Sequence, residues 1–400
     1  MIRRLIGSAW LLFGVALALR VGWVVYRWAT HGAAFDYDDE KLHWQLATHL
    51  VRDGTLVSDD GRYAARMPVY PLFLALFAWV GTYGLLAARL AQAAIGAVTA
   101  VLANRCANAA WGPRAAWVAG LVVCIDPFGI FFANLLLTET VFTLLLLALV
   151  GCAWQVVMQP ASKGALIGFA LLGAAAVMTR PAVVLLVPLL WLLIGVCSGD
   201  RRRIWLRSVL CPLVLAAALL PWGLRNKAVL GSFAWLSTNG GVTLYDAQGP
   251  QADGSSNQAF LQDTPAFRGL DEATLDRTLA RRAAEQMCAD PGRVLRLAGV
   301  KLLRTWSPIP NVAEYRSGAV ATVGAVYTVV VLLGAVAGLA RSRGRRTLRA
   351  LLWVPVIYFT LVHCIYIGSV RYRVPLMPLL AVAAASVLSV AQKPDNQRAT

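Results

Sequence analysis

Apolar and polar positions fall along this chain in long blocks. Apolar runs occupy 5–27, 85–105, 115–133, 138–157, 164–179, 182–198, 204–222, 319–340, 348–367 and 375–391. About 20 such residues, rising 1.5 Å each in a helix, cross the ~30 Å hydrocarbon core of a bilayer. The blocks therefore predict an all-α polytopic membrane protein, a bundle of about ten spans. One further apolar stretch, 68–82, opens with "PVYP" and is short.

The polar segments between the blocks decide the topology. Arg3 and Arg4 put the N-terminus inside, and "NRCANAAWGPR", "GDRRRIWLR" and "RSRGRRTLR" are inside by the Lys/Arg rule. Only one crossing then fits between Arg66 and Arg105, so 68–82 is expected on the outer surface as an amphipathic or re-entrant helix. The inside segments hold 16 Lys and Arg against two acids, Asp200 and Asp395, whereas 31–67 holds four bases and seven acids. Both termini are expected in the cytoplasm and residues 31–67 outside. The first run lacks a small-residue cleavage site before its polar flank and reads as a retained helix.

Composition agrees with the blocks. The chain is 58% hydrophobic and only 14% charged, where a soluble domain is nearer a quarter charged. A net charge of +17 would suggest nucleic acid in a soluble protein; here its distribution reports topology, and no nucleic-acid partner is expected. Six of the seven cysteines lie in or beside apolar runs, which fits packing rather than a disulfide framework.

Three regions follow: 1–222, a transmembrane module with an outer loop at 31–82; 223–318, a large outer loop; and 319–400, the C-terminal transmembrane helices. In the large loop, "STNGGVTLYDAQGPQADGSSNQ" is rich in Gly, Ser and Asn and reads as irregular. The stretch from Asp271 to Pro308 reads as two amphipathic helices divided by Asp290-Pro291-Gly292.

Candidate chemistry sits at the outer ends of the spans. "FDYDDEKLHWQLATHL" places Asp36, Asp38, Asp39 and Glu40 within five positions. If it is helical from about Asp39, Leu42, Leu46 and Leu50 form an apolar stripe, with His43 and Ala47 beside it. One carboxylate suffices to cap that helix; four call for more. Glu139 stands between two apolar runs, where a carboxylate is costly unless it is paired or hydrated. Asp126, before a proline, reads as a kink stabilised by its side chain. Arg66, Arg180, Arg225, Arg371 and Arg373 all fall near the outer surface, against the inside preference of arginine. A guanidinium binds phosphate bidentately and stays charged when partly desolvated. Such parts suit glycosyl transfer from a lipid phosphate: a carboxylate takes the acceptor proton while arginines offset charge on the departing phosphate.

"DEKLHWQLATHLVRDG", "ARMPVYPLFLALFAWVG", "LLLTETVFTLLL", "MTRPAVVLL", "PWGLRNKAVLGSFAWLSTNGGVTLYDAQ" and "RYRVPLMPLL", in this order, resemble the GT-C superfamily of integral-membrane glycosyltransferases. The likeness is to its bacterial branch of protein O-mannosyltransferase-like and lipid A aminoarabinose transferase-like enzymes. That resemblance implies a catalytic Asp in the first outer loop, matching Asp39, with Asp36 and Asp38 as alternatives. It also implies a second acidic residue at Glu139 and a basic residue at Arg66 before a juxtamembrane helix. His43 stands where the family has an aromatic, and Met67-Pro68 replaces the usual double proline. The reading is a transferase acting outside the bacterial inner membrane, with a polyprenyl-phosphate sugar as donor and a protein, lipid or glycan as acceptor. Cofactor use stays open: some members use a divalent metal, for which Glu40 and His43 are candidate ligands with Asp39 and Glu139. A transporter or flippase of a lipid-linked anion is the rival reading. It predicts charges along a pathway on both sides of the membrane and usually a repeat symmetry, which the sequence does not show.

Overall fold

The computed structural model describes residues 2–198, 209–312, 315–342 and 345–388, with side chains from residue 9 onward. The basic loop 199–207, the start of the seventh run and the end of the tenth lie wholly or partly outside the described residues. The described chain is helical. The apolar helices of its first part are α1 (Ile2–His31), α4 (Thr82–Trp111), α5 (Pro113–Cys124), α6 (Pro127–Asn134), α7 (Glu139–Met158), α8 (Lys163–Thr179), α9 (Leu186–Cys197) and α10 (Leu210–Leu230). Between α1 and α4 come α2 (Asp38–Asp53) and α3 (Val69–Ala78). The large loop carries α11 (Gly240–Gln248), α12 (Glu272–Ala289) and α13 (Pro291–Thr305). The C-terminal part is α14 (Gly318–Arg341), α15 (Arg346–Ile365), a 3₁₀ segment Val370–Leu376 and α16 (Met377–Ala385).

Among the described residues seven helices are long and apolar enough to span, or eight if the bent pair α5–α6 counts as one. The runs α8 and α9 are shorter apolar helices, so the expected count of ten is not reached by length and composition alone. Helix α3, of 10 residues, is about 15 Å long and could reach only half-way across a bilayer. Tyr70, Pro71 and Leu74 are buried, and Tyr70 and Leu74 pack with Ala47, Leu85 and Ala88 in one apolar cluster.

Small residues bring the central helices together. Ala93, Ala97, Ala100, Ala103 and Ala107 of α4 and Ala115 and Ala119 of α5 are completely buried. In hydrocarbon there is no hydrophobic drive between helices, so close backbone approach of this kind supplies the association. The outer helices instead expose Val320, Val323, Val326, Val330 and Leu333 of α14, as expected of surfaces facing acyl chains.

The third run is not one straight helix. It breaks at Ile125-Asp126, and α5 and α6 diverge by 47°. Asp126 caps α6 by accepting from the Phe128 N–H at 3.0 Å. The carbonyls freed at the end of α5 are met by Arg20 of α1, 2% exposed, which donates to Val123 O at 3.0 Å and Cys124 O at 3.1 Å. Unpaired backbone carbonyls in a bilayer cost several kcal/mol each, so the break requires a donor of this reach. Gly96 makes room for it, because a Cβ there would lie 2.4 Å from Arg20 Nε.

A second correction concerns 240–248, expected to be irregular but helical. The carboxylate of Asp276, on α12, accepts from the Gly241 N–H at 2.6 Å and the Val242 N–H at 3.3 Å. This caps α11 from 35 residues away, and no local pattern reports it.

Arg20→Met removes the donor and leaves the break uncompensated. It is expected to lower stability by about 3 kcal/mol or more, read as a fall in the thermal-unfolding midpoint in detergent. An unchanged midpoint would show that the break does not depend on Arg20.

Candidate active site

Helix α2 begins after Tyr37, whose backbone is extended. Glu40, at the third helical position, reaches back so that Oε1 accepts from the Asp36 N–H at 2.9 Å and the Tyr37 N–H at 3.2 Å. Its Oε2 accepts from the Leu136 N–H at 2.8 Å. Glu40 therefore fastens the start of α2 to the loop before α7, and it is completely buried. Burial raises its pKa, opposed by those backbone donors. Leu42 and Leu46 lie on the buried face as the stripe predicted, with Leu50 half-buried. Asp36 is held elsewhere, bidentate to Arg27 at the end of α1 at 2.5 and 2.6 Å. Asp38 has no hydrogen bond or ion pair among the described residues.

Asp39 stands at the centre of a chain of charges. Its Oδ1 accepts from Arg66 at 2.5 Å and its Oδ2 from Arg371 at 2.7 Å. Through Nε, Arg371 also donates to Oε1 of Glu139, and Arg180 lies 3.6 Å from the same oxygen. Five side chains from five segments thus alternate in sign: Arg66, Asp39, Arg371, Glu139, Arg180. Glu139 opens α7, where the helix N-terminus favours a negative group. It is fully buried, and its Oε2 has no partner. Arg180 packs against the rings of Phe142 and Tyr372 at 5.4 and 5.5 Å, and Tyr372 stacks on His363 at 4.0 Å. Burial acts to raise the pKa of Asp39, but Arg66 and Arg371 outweigh it and hold the carboxyl well below the usual carboxylate range.

His43 lies one turn on from Asp39. Its ring meets Tyr70 edge-on at 4.9 Å, and Tyr70 donates to Gln92 at 2.9 Å. Burial, with the nearby Arg66 adding to it, depresses the His43 pKa to about 3. The imidazole is neutral at physiological pH, and its Nδ1 has no partner.

Two of the five candidate arginines are placed away from this cluster. Arg225 donates to Tyr63 O at 2.7 Å and Leu56 O at 2.6 Å, bracing the loop before Arg66. Arg373 is fully buried, donating to Ser307 O and, at 3.0 Å, to Thr328. Asp36 and Glu40 are likewise engaged in holding the loop. The proposed metal ligands do not fit a metal either. Glu40 is committed to three backbone N–H groups, and among the described residues no three His, Cys, Asp or Glu side chains converge. Guanidinium groups occupy the space between Asp39 and Glu139.

Two hollows lie nearby, one with Arg371 in its lining and the other with Asp38. An apolar groove of about 850 Å³ runs between α1, α6 and α14, lined by Trp23, Tyr37, Phe128, Phe131 and Tyr315 and ending at Arg371. Its only trace in the sequence is the aromatic run "DPFGIFF". A more polar cleft of about 2040 Å³ lies between the turn 58–63 and helices α11 and α12, lined by Asp38, Tyr63, Thr238, Asn239, Gln262 and Glu272.

Residues 51–223 match the family model of the Alg9-like mannosyltransferase family. No curated protein matches the chain by sequence. Among solved structures, the archaeal oligosaccharyltransferase AglB from Archaeoglobus fulgidus, in complex with an inhibitory peptide and a dolichol-phosphate, is 12% identical with a TM-score of 0.60 over 96% of this chain and 50% of its own. The same oligosaccharyltransferase in its apo form gives 12% and 0.59 over 95% and 50%. ArnT from Cupriavidus metallidurans, bound to undecaprenyl phosphate, is 17% identical with a TM-score of 0.47 over 96% and 77%. The chain spans about half the length of the AglB structures.

The neutral, buried His43 makes stability depend on pH. Its folded pKa of about 3 lies below the ordinary 6.5, so the unfolded chain binds the extra proton between these values and stability falls as pH drops through that window. The slope contributed is at most about 1.4 kcal/mol per pH unit. His43→Gln is expected to flatten the thermal midpoint measured between pH 6.5 and 5, and a profile as steep as wild type would contradict it. Glu40→Ala is expected to cost about 3 kcal/mol through its orphaned N–H groups, whereas Asp38→Asn should leave the midpoint unchanged.

Proposed function

We infer, from the premise that this chain has the GT-C fold of integral-membrane glycosyltransferases, that it transfers a sugar from a polyprenyl-phosphate donor to an acceptor outside the cytoplasm. The observation that carries the reading is the place of Arg371, which ends the aromatic groove and bridges Asp39 and Glu139. An isoprenoid chain fits such a groove by its apolar surface, and its phosphate would then meet Arg371. AglB, whose fold this chain shares, binds a dolichol-phosphate. The three arginines of the cluster exceed its two carboxylates by one positive charge, which suits a single phosphate.

On this reading Asp39 and Glu139 occupy the guanidinium groups until a donor arrives. The donor phosphate then takes up contacts with Arg371 and Arg66, and Asp39, relieved of its ion pairs, becomes basic enough to accept a proton. The acceptor oxygen forms a bond to the anomeric carbon as the bond to the phosphate oxygen breaks. The acceptor proton passes to Asp39, and the lipid phosphate leaves with one more negative charge, offset by the arginines. Glu139 holds Arg371 and Arg180 in register and offers its unpaired Oε2 to the reacting sugar. With one base and no covalent nucleophile assigned, the anomeric configuration inverts. The acceptor would approach through the cleft beside Asp38, making the region 223–318 the determinant of acceptor choice.

The orientation rests on charge. Arg105, Arg114, Arg341, Arg345, Arg346 and Arg349 all stand at the ends of α4, α5, α14 and α15 remote from Arg371, which supports a cytoplasmic face there by the Lys/Arg rule. The termini are then cytoplasmic and the site faces outward, in a bacterial inner membrane.

The test is transfer by purified protein in proteoliposomes supplied with radiolabelled polyprenyl-phosphate sugars, polyprenyl-phosphate mannose among them, and a mixed acceptor extract. Asp39→Asn is expected to lower transfer by roughly 10²-fold or more with its thermal midpoint retained, and chelation of divalent metals should leave wild-type transfer unchanged. Transfer by Asp39→Asn equal to wild type would remove Asp39 from the role of base. Donor moved across the bilayer without product would favour the transporter instead.

A further inference from the structure

Helix α13 has two faces of different kinds. On one, Leu297, Lys301 and Thr305 are buried against the protein. Lys301 Nζ donates to Ile365 O at 2.8 Å and Arg304 Nε to Gly368 O at 3.2 Å. Just past the helix, the Trp306 indole donates to Thr360 at 3.2 Å. Residue 301 thus pairs with 365 and 306 with 360, so the second half of α13 runs beside the last turns of α15 in the opposite direction. Five residues of helix correspond to about 7.5 Å of depth.

At that level α15 presents an apolar outer face, with Ile357, Leu361 and Ile365 exposed by 54%, 60% and 44%. The free face of α13 carries Leu295, Leu302 and Leu303, exposed by 75%, 40% and 74%, with Arg296 beside them. At 100° per residue the three leucines fall within one side of the helix. A single exposed leucine carries no meaning; Leu302 and Leu303, level with the last turn of α15, extend its apolar surface, and Leu295, about 9 Å further along the same face, continues it beyond the end of that helix.

We propose that α13 lies in the outer leaflet, its leucines at the boundary of acyl chains and headgroups and Arg296 among the lipid phosphates. The continuity with α15 and the pattern of apolar face flanked by base identify a bilayer rather than a protein as the occupant. The placement bears on the site. The Thr305 and Ser307 carbonyls accept from Arg373, and Asn311 accepts from the Val370 N–H at 2.6 Å. These contacts frame the segment that carries Arg371. Seating α13 at the headgroups therefore sets the height of Arg371 relative to the plane in which lipid phosphates lie.

The full chain in phosphatidylcholine–phosphatidylglycerol vesicles, labelled with a phospholipid bearing a photoreactive group near its ester carbonyls, tests this on the native sequence. Adducts in residues 294–304 are expected at roughly five-fold or more the level in residues 281–286 of α12, which stand clear of the membrane on this reading. Equal labelling of the two stretches would overturn the proposal. A second measurement uses a fluorophore on Leu295→Cys, Leu303→Cys or Glu285→Cys, each with Cys288→Ser. Shallow spin-labelled lipid should quench the first two and aqueous iodide the third. Iodide quenching all three alike would also overturn it. Both readouts are independent of whether the chain transfers a sugar.

Discussion

One guanidinium shared by two carboxylates draws five distant segments of this protein together. Arg371 serves Asp39 on one side and Glu139 on the other, and each carboxylate brings a further arginine. Taking an ion out of water costs several kcal/mol unless a partner and hydrogen bonds compensate. The charges of the cluster find their partners only when α2, the loop at Arg66, the start of α7, the end of α8 and the 3₁₀ segment are assembled together. Segments more than 300 residues apart are thus joined by a requirement that no local interaction could meet. The supporting contacts follow the same logic. Glu40 fastens α2 to the loop before α7, the Tyr372 and Phe142 rings hold Arg180, and Asn311 fixes the backbone next to Arg371.

The arrangement also separates two kinds of surface around one charge. On one side of Arg371 lies an aromatic groove, and near Asp38 lies a cleft with carboxylate, amide and hydroxyl groups in its wall. The first is mostly apolar and the second mostly polar in its lining residues. Its carboxylates keep the arginines ordered without a ligand, so an incoming anion meets preformed donors and need not organise them.

Much of the fold was legible because a bilayer admits few solutions. Block length located most of the helices, and the helix within 68–82 has only 10 residues, too few for a full span. Within the site, Asp39, Glu139, Arg66, Arg180 and Arg371 were singled out because charge at a span's outer end is costly, and the structure brings these five into contact. The same reasoning could not separate them from Asp36, Glu40, Arg225 and Arg373. Those four look alike in sequence, yet Asp36 meets Arg27, Glu40 meets backbone N–H groups, and Arg225 and Arg373 meet mainly backbone carbonyls. A backbone partner leaves no residue-type signature, so only tertiary position reveals it. Helix α11 was missed for a related reason: its glycines argue against a helix, and its cap is supplied by Asp276 from a distant helix.

The break between α5 and α6 has a geometric effect beyond its own hydrogen bonds. Continued straight, the third run would keep Phe128, Phe131 and Phe132 in line with α5. Turned by 47°, the half-helix carries those rings to the wall of the groove, between α1 and α14. The hollow is thereby bounded by helices whose other sides face acyl chains. The contacts by which Arg20 stabilises an interrupted helix thus also hold the aromatic wall of the groove in place.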